Sequence, residues 1–166
     1  MPNVVYENRP DSRTKHTFYG QYKRYVNDGD VIDTSYRFLT DDWGIDSHTI
    51  DFKYRKALPE RRFIQPHIRF YQQSAASFYT PFFINGNAPQ SADDNSFASA
   101  DYRLGDFNAY TVGLEFGQVN KHNSWSVALE YYLQTGDEPD ESFGELSNLE
   151  VFPDVDAVLF RVLYDF

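Results

Sequence analysis

Histidine, aspartate and serine residues could form a nucleophilic site in this chain of 166 residues. His67 and Asp51, together with Ser35 or Ser126, have the residue types of a serine hydrolase. Such enzymes present the serine on a specialised turn, often GxSxG, and the sequence contains no GxSxG. Alternating strands would also bring these residue types together by chance. We therefore predict that the protein is not an enzyme and has no catalytic residues and no cofactor.

A run of carboxylates near the C-terminus could bind a metal ion. Calcium prefers many hard oxygen ligands, and no Lys or Arg lies between His122 and Phe160. The segment DEPDE nevertheless lacks the alternating ligands and central glycine of an EF-hand loop. We therefore predict no metal site and interpret the run as a solvated loop, with the gathering of divalent cations between lipopolysaccharide phosphates as an open hypothesis. The acidic residues are Asp137, Glu138, Asp140, Glu141, Glu145, Glu150, Asp154 and Asp156.

The turn DDWG, from Asp41 to Gly44, places carboxylates beside an aromatic ring. This combination could bind a cation or a sugar. We favour a structural interpretation, in which the Asp side chains cap the turn and Trp43 anchors the loop at a membrane rim.

The elements that must position these residues are strands, because seven segments alternate apolar and polar residues with a period of two. In all but the first, one face carries no charge; there Arg24 falls on the apolar face. No segment has the 3.6-residue period of an amphipathic helix, so we predict an all-β fold. Pro66 predicts a bulge or a weak pairing in its strand. The segments are residues 14–26, 31–39, 47–55, 63–71, 109–118, 124–134 and 158–166.

The connections alternate in length, which predicts an antiparallel up-and-down barrel of the outer-membrane type. Residues 27–30, 57–62 and 118–123 form short turns on one side, whereas 41–46, 72–108 and 135–156 lie on the other side, and two of those are long. A soluble lipocalin-like binding barrel is the alternative, but its apolar face points inward and mixes small and large residues. The apolar rows here are uniformly bulky, with aromatic residues near both ends. The predicted interfacial aromatics are Trp43, Tyr54, Phe70, Tyr110, Trp125 and Tyr131.

The polar faces of the strands carry charges of both signs, which we predict to line the lumen. Opposite charges on adjacent strands could satisfy one another in a closed interior. Alternatively, they could tune the selectivity of a water-filled pore. The predicted lumen-lining residues are Lys23, Asp33, Arg37, Asp51, Lys53, Arg55, His67, Arg69, Glu115, Glu130 and Arg161.

The last strand alternates to the final residue, whereas most domains let their last residues fray. It resembles the closing strand of bacterial outer-membrane barrels, whose C-terminal aromatic residue resembles the signal that the barrel assembly machinery reads. The predicted assembly signal is Val158, Phe160, Val162, Tyr164 and Phe166.

Composition bounds the location and the partners. The formal net charge of −10 argues against nucleic acid as a partner, because phosphate binding needs clustered Lys and Arg. The start MPNVVYENRPDSR has no signal peptide, which an outer-membrane protein of a Gram-negative bacterium requires. An odd strand number would also leave an unpaired edge. We therefore expect residues 1–13 to be the tail of an extracellular loop, 14–166 to be the C-terminal strands of one barrel domain, and a signal peptide and further strands to lie upstream of Met1.

Several stretches resemble a known family more specifically: YENRPDSRTKHT (6–17), SYRFLTDDWGIDSHT (35–49), RFYQQSAASFY (69–79) and DYRLGDFNAYTVGLEFG (101–117). With the closing strand, they resemble the C-terminal half of a bacterial outer-membrane barrel family known as domain of unknown function 3570. The resemblance implies fold and location but carries over no catalytic residue. The genomic company of that family, with periplasmic thioredoxin-like proteins and flavin transferases, implies extracytoplasmic redox work.

Two functions follow from these expectations. The first is a pore-like or structural barrel of the outer membrane, with a charged lumen and acidic extracellular loops. The second is a plugged interaction barrel whose long loops hold a periplasmic or extracellular partner, with a redox role as one option. Expected partners are outer-membrane lipid, lipopolysaccharide and, during biogenesis, the barrel assembly machinery.

Overall fold

The protein is one antiparallel sheet of seven strands in chain order, each paired with its sequence neighbours. The structure is a computed structural model and describes residues 7–27, 29–83, 96–136 and 152–166. Within these ranges, no helix is long and apolar enough to cross a bilayer. The all-β class and the up-and-down order are confirmed. The sheet is not closed, since β1 pairs only with β2 and β7 only with β6 among the described residues, and it is consistent with a partial barrel. The strands are β1 (Lys15–Val26), β2 (Asp30–Asp41), β3 (Asp46–Leu58), β4 (Arg62–Gln73), β5 (Phe107–Val119), β6 (Ser124–Gly136) and β7 (Val155–Asp165).

All predicted strands are present, and most are longer than the alternation indicated. The β4 ladder, for example, continues to Gln73, which pairs with Ser47 on β3 and with Phe107 on β5. The pattern of alternation ends where polar residues enter both faces, but backbone hydrogen bonds do not depend on side-chain polarity. Periodicity therefore located the strand centres and underestimated the strand ends.

The apolar face of the sheet is the exposed one, whereas a soluble protein usually buries its apolar face. Residues that share the parity of Phe18, Val112 and Phe160 form the apolar face, and these three side chains are 66%, 58% and 69% exposed. Residues that share the parity of Thr49 and Ser126 form the polar face, where these two are buried. A lipocalin-like barrel would bury the apolar face, so this arrangement argues against that alternative.

Pro66 weakens one ladder without shifting it. The β3–β4 register is the same on both sides of the proline, but the backbones of Tyr54 and Arg55 are not paired with β4 in the ladder. Pro66 does pair with Leu114 on β5, so its missing N–H faces β3. Of the two predicted outcomes, a bulge or a weak pairing, the structure has the weak pairing.

The connections at one end of the sheet pack together into what we call the cap, comprising residues 7–13, 42–45, 74–82 and 96–106. Its core is Ile45, Ala76 and Leu104, against which Trp43 and Phe78 pack. Backbone hydrogen bonds tie its segments together, including a reciprocal pair between Asn8 and Ala98 of 3.0 and 2.9 Å. The cap lies at the end that the sequence assigned to the extracellular loops. Residues 137–150 of the predicted acidic loop lie outside the described residues.

Candidate functional site

The ladders place all the predicted lumen-lining residues on the polar face. One row across the sheet runs through Lys23, Asp33, Lys53, His67 and then Gly113 and Glu130. The row nearer the cap contains Asp51 opposite Arg69, and the row farther from it contains Arg161 on the β7 side of Ala128. Their place in a lumen stays a prediction, but their common face is a property of the sheet.

His67 joins two carboxylates from strands on either side of it. Its Nε2 lies 2.9 Å from Asp51 Oδ2 on β3, and its Nδ1 lies 2.8 Å from Glu130 Oε1 on β6. A carboxylate only accepts hydrogen bonds when ionised, so both contacts are hydrogen bonds only when both ring nitrogens carry protons. Lys53 Nζ lies 3.7 Å from Asp51 Oδ1 and extends the network.

This arrangement leaves His67 no nitrogen with which to activate a serine. Neither Ser35 nor Ser126 is hydrogen-bonded to His67, and both ring nitrogens already face carboxylates. Metal coordination would need the same nitrogens, and no group of three or more His, Asp or Glu side chains among the described residues has the geometry of a metal site. The arrangement supports a polar connection that joins β3, β4 and β6 through His67.

Gly113 is what allows Glu130 to reach His67. Glu130 lies on β6 and His67 on β4, with Gly113 of β5 between them in the same row. A Cβ atom on Gly113 would lie 2.6 Å from Glu130 Cγ, which is closer than real contacts allow. The absence of a side chain therefore opens the path across β5, and sequence reasoning did not assign this role to Gly113.

A second network lies one row farther from the cap. Arg55 Nε donates to Gln65 Oε1 (2.9 Å), and Gln65 Nε2 donates to Glu115 Oε2 (3.2 Å). Arg161 closes the chain at 3.5 Å from Glu115 Oε2, which links β3 to β7 across the sheet. Gln65 was missed in the sequence because it carries no charge, although its parity marks it as a polar-face residue.

Arg55 also stacks on an aromatic ring, with its Cζ 3.9 Å from the centroid of Phe63. The Phe63 ring occupies space that a side chain at position 117 would need, because a Cβ on Gly117 would lie 2.7 Å from Phe63 Cζ. Stacking of a guanidinium on an aromatic ring is a favourable interaction, and it is stronger when solvent is excluded. A glycine thus supports the second network as well.

Three of the predicted lumen cations have no carboxylate partner among the described residues, and one of them is Arg55, which donates to Gln65 and stacks on Phe63. Arg37 only donates to Thr49 Oγ1, at 3.4 Å. Arg69 lies opposite Asp51 in the ladder but makes no hydrogen bond or ion pair with any described residue, because Asp51 is engaged by His67 and Lys53. By contrast, Lys23 pairs with Asp33 at 3.4 Å, and Gln21 donates to the other oxygen of Asp33.

Arg69 borders a cavity of about 620 Å³ on the polar face between β4 and β7. His67, Thr111 and Glu130 contribute the other polar chemistry of its wall. The apolar part of the wall includes the rings of Tyr71 and Phe107, whose centroids lie 5.4 Å apart, and the β7 residues Val155, Ala157 and Leu159. Strand β7 therefore presents apolar residues on both faces next to the cavity.

The DDWG turn is held as the structural interpretation requires. The buried Asp41 carboxylate accepts the backbone N–H groups of Trp43 and Ile45, both at 3.0 Å, and the Arg13 Nε at 2.8 Å. Trp43 donates its Nε1–H to Ser12 O (2.9 Å), and Arg13 stacks on its ring. Trp43 thus packs within the cap, and its predicted contact with a membrane rim stays a prediction.

The other predicted interfacial aromatics lie on the apolar face, most of them towards one end of the strands or the other. Near the cap, Phe70 packs on Tyr110 with ring centroids 5.3 Å apart. Near the opposite end, Trp125 packs on Phe116 at 5.7 Å. Tyr131 lies between the two ends, and Tyr54 donates its hydroxyl to Asp30 at 2.6 Å. The residues of the predicted assembly signal share the apolar face of β7, and Phe166 is 97% exposed.

The cap contains an ion cluster that sequence reasoning missed. Asp101 accepts hydrogen bonds from Arg103 Nη2 (2.6 Å) and Arg9 Nη2 (3.2 Å), and these charges, led by Arg103, hold the pKa of Asp101 at about 2. Glu7 bonds to Ser99 and Arg9, which lowers the pKa of Glu7. Arg9 and Asp101 are far apart in the chain, so no local pattern announces the pair.

Comparison with known proteins gives one match. A family model described as "Protein of unknown function (DUF3570)" matches residues 1–166. No curated protein and no solved structure matches the chain.

Proposed function

The chain belongs to the DUF3570 family, described as proteins of unknown function, and we propose that it forms the wall of a pore-like or structural β-barrel in the bacterial outer membrane. In this proposal the apolar face contacts lipid and the polar face lines the lumen. The cap then lies on the extracellular side. Pairing partners beyond the described strands cover the free edges of β1 and β7, because bare backbone groups in lipid cost several kcal/mol each.

The observation that carries the proposal is the exposure of the apolar face. Ile68, Leu129 and Val162 are 55%, 55% and 60% exposed, in the middle of three different strands. Full burial of such a side chain is worth about 1.5–3 kcal/mol, and each of these forgoes roughly half of that if it stays in water. Soluble monomers rarely expose apolar patches larger than a few hundred Å². A bilayer provides the apolar surroundings that this face lacks.

The polar face supports the same proposal from the other side. Its polar side chains form the networks of His67 and Glu115, in which groups on different strands are partners of one another. Outer-membrane barrels combine a lipid-facing apolar band with a polar interior in the same way.

A matched pair of substitutions on β5 tests the orientation. Val112 lies on the apolar face near the centre of the strand, and Thr111 is its neighbour on the polar face, beside the cavity. Val112→Arg should destabilise the folded protein in lipid vesicles by about 2–4 kcal/mol, because the charge enters the bilayer core. Thr111→Arg should cost less than half of that. If Val112→Arg is harmless, and the protein stays monomeric in buffer without detergent, the apolar face does not contact lipid.

Planar-bilayer recording on the full-length protein tests the pore. Stable ohmic steps are expected if water fills the lumen. Arg37 and Arg69 have no carboxylate partner among the described residues, so these steps should favour anions.

A plugged interaction barrel is the second candidate, and the packed cap favours it. The Ile45–Ala76–Leu104 core and the Arg9–Asp101 contact organise the loops at one end of the sheet. A barrel closed by such loops would present them to an extracellular partner, whereas a periplasmic partner, such as a redox protein, would bind at the opposite end. Electrical silence of correctly inserted protein, together with conductance after disruption of the cap, would favour this candidate.

The remaining parts of the proposal concern chemistry and biogenesis. We infer no enzymatic role, since the only described histidine on the polar face of β4 is engaged by carboxylates. Outer-membrane lipid and lipopolysaccharide are the proposed surroundings, and the barrel assembly machinery is the proposed reader of Val158 to Phe166. The net charge of −10 supports the exclusion of nucleic acid.

A further inference from the structure

We propose that the cavity between β4 and β7 is a binding site for a small organic carboxylate with a flat apolar body. The inference rests on the proposed function in one respect, namely that the polar face is the water-accessible interior of a barrel. The volume of the cavity, about 620 Å³, falls in the range of small-molecule sites, about 300–1,000 Å³.

Arg69 is the residue that would bind the anionic end of the ligand. Glu130 is the carboxylate that borders the cavity, and it is already engaged by His67, with Nδ1 of His67 2.8 Å from Oε1 of Glu130. Arg69 is exposed and makes no hydrogen bond or ion pair within the described part of the chain. Arg69 is therefore the cationic side chain of the cavity wall that has no partner among the described residues, and a guanidinium binds carboxylates through two parallel hydrogen bonds.

The second donor near Arg69 is the hydroxyl of Thr111. Thr111 lies directly opposite Arg69 in the β4–β5 ladder and lines the same cavity. The tyrosine hydroxyls of the wall are already used, because Tyr71 donates to Gln73 at 2.8 Å and Tyr132 donates to Gln134 at 2.6 Å. Arg69 and Thr111 are therefore the groups that would hold an anion.

The apolar body of the ligand is assigned by the rest of the wall. The rings of Tyr71 and Phe107 pack at a tilt on the cap side, with centroids 5.4 Å apart, and Val155, Ala157 and Leu159 form an aliphatic row on β7. Leu159 is 49% exposed although it lies on the polar face. An inorganic anion would leave these side chains in contact with water, whereas an aromatic or compact aliphatic acid would cover them.

Benzoate is a suitable probe, with benzamide as the uncharged compound of the same shape. Titration of the full-length protein, folded in detergent micelles, with benzoate should shift the NMR signals of Thr111 and Ala157. Benzamide should bind at least tenfold more weakly, because it cannot form the charged contact with Arg69.

Substitutions distinguish this site from general attraction of anions to the polar face. Arg69→Gln should weaken benzoate binding about tenfold or more, while Arg37→Gln should not change it. Arg37 is the matched control, since it is a polar-face arginine without a carboxylate partner in the described ranges and does not line the cavity. Equal loss in both variants, equal binding of benzamide, or no benzoate binding at all would overturn the proposal.

The outcome can be separated from that of the proposed function. If the protein binds benzoate through Arg69 but forms no conducting pore, the proposal of the binding site stands and the proposal of the pore fails. If the protein conducts but does not bind benzoate, the proposal of the pore stands and the proposal of the binding site fails.

Discussion

At the scale of single residues, the polar face depends on side chains that are absent as much as on those present. Gly113 and Gly117 leave room for Glu130 and Phe63, and through them for both charge networks. Neither glycine has a positive φ, so the requirement is space and not backbone conformation. Networks that span several strands need such openings, because a side chain on the intervening strand would block them.

Gly113→Ala should separate Glu130 from His67. The new methyl group would overlap Glu130 Cγ, and loss of a charged hydrogen bond costs about 1.5–3 kcal/mol. Unfolding in lipid vesicles would measure the loss, and ¹⁵N NMR of the His67 ring would show the changed hydrogen bonding at Nδ1. Gly20→Ala is the control, since a Cβ there has nothing within 4 Å. Equal stability of the two variants would contradict the role assigned to Gly113.

Asp101 should make the cap sensitive to acid. Its pKa is about 2 in the folded protein and 3.8 ordinarily, so the carboxylate stabilises the cap fully above about pH 4. This stability, about 2 kcal/mol, is lost as the pH falls from 4 towards 2. Fluorescence of Trp43 in a Trp125→Phe background should report the change. Asp101→Asn should weaken the cap at pH 7 and flatten the acid transition.

The exposed Asp11 provides the control for this experiment. Asp11→Asn should leave the acid transition of Trp43 fluorescence unchanged. An identical transition in the Asp101→Asn variant would show that Asp101 does not control the cap.

What the sequence revealed at this scale depended on parity. Alternation was enough to put His67, Asp51 and Glu130 on one face, because a strand directs every second side chain the same way. It could not show that Asp51 turns to His67 and leaves Arg69 unpaired, since that choice depends on distances between three strands. The Arg9–Asp101 pair was also unpredictable, because it joins loops whose paths no periodicity describes.

At the scale of elements, the hairpin between β3 and β4 departs from ideal turn chemistry. Glu60 and Arg61 both have positive φ, at 60° and 58°, and the Arg62 N–H donates to Pro59 O. This is the geometry of a type I′ turn, which favours Asn-Gly. Pro66, a few residues later, removes a donor from the same pair of strands.

Arg61→Gly should therefore stabilise the protein by about 1 kcal/mol, because glycine adopts a left-handed conformation without steric cost. Thermal unfolding in detergent micelles would measure this. Arg61→Ala removes the same charged side chain and keeps a Cβ, so it should give no stabilisation. If both substitutions have the same effect, the side chain and not the backbone is responsible.

Strand β7 should matter more for assembly than for folding energy. Phe166 is 97% exposed, and its ring centroid lies 5.0 Å from that of Tyr164. Deletion of Phe166 should nevertheless lower outer-membrane levels strongly, if the assembly machinery reads the terminal aromatic residue. Phe166→Tyr should restore most of the level. Unchanged levels of the deletion variant would contradict the predicted signal.

Strands were the most predictable elements, because each has a long alternating segment such as Tyr110 to Gly117 on β5. The cap was not predictable. Its core residues Ile45, Ala76 and Leu104 are single apolar residues in separate loops, and a core assembled from such residues leaves no period in the sequence.

At the scale of the whole molecule, the free edges of β1 and β7 set the main structural requirement. In lipid these edges need partners, since each bare backbone group costs several kcal/mol. In the full-length protein in proteoliposomes, amides of β1 and β7 should therefore exchange with deuterium as slowly as those of β4. Rapid exchange confined to the outer edges would show that the sheet stays open.

The reversed polarity of the two faces also has an evolutionary consequence. Residues of the apolar face such as Val112 and Leu129 are exposed, so one apolar residue can replace another there at little cost. Residues of the polar face such as Gln65 and Glu115 bond to one another, so a change in one favours a compensating change in the other. In related sequences, positions on the apolar face should therefore vary freely among apolar residue types, whereas bonded positions on the polar face should change in pairs. Alternate residues of each strand would thus evolve under two different constraints.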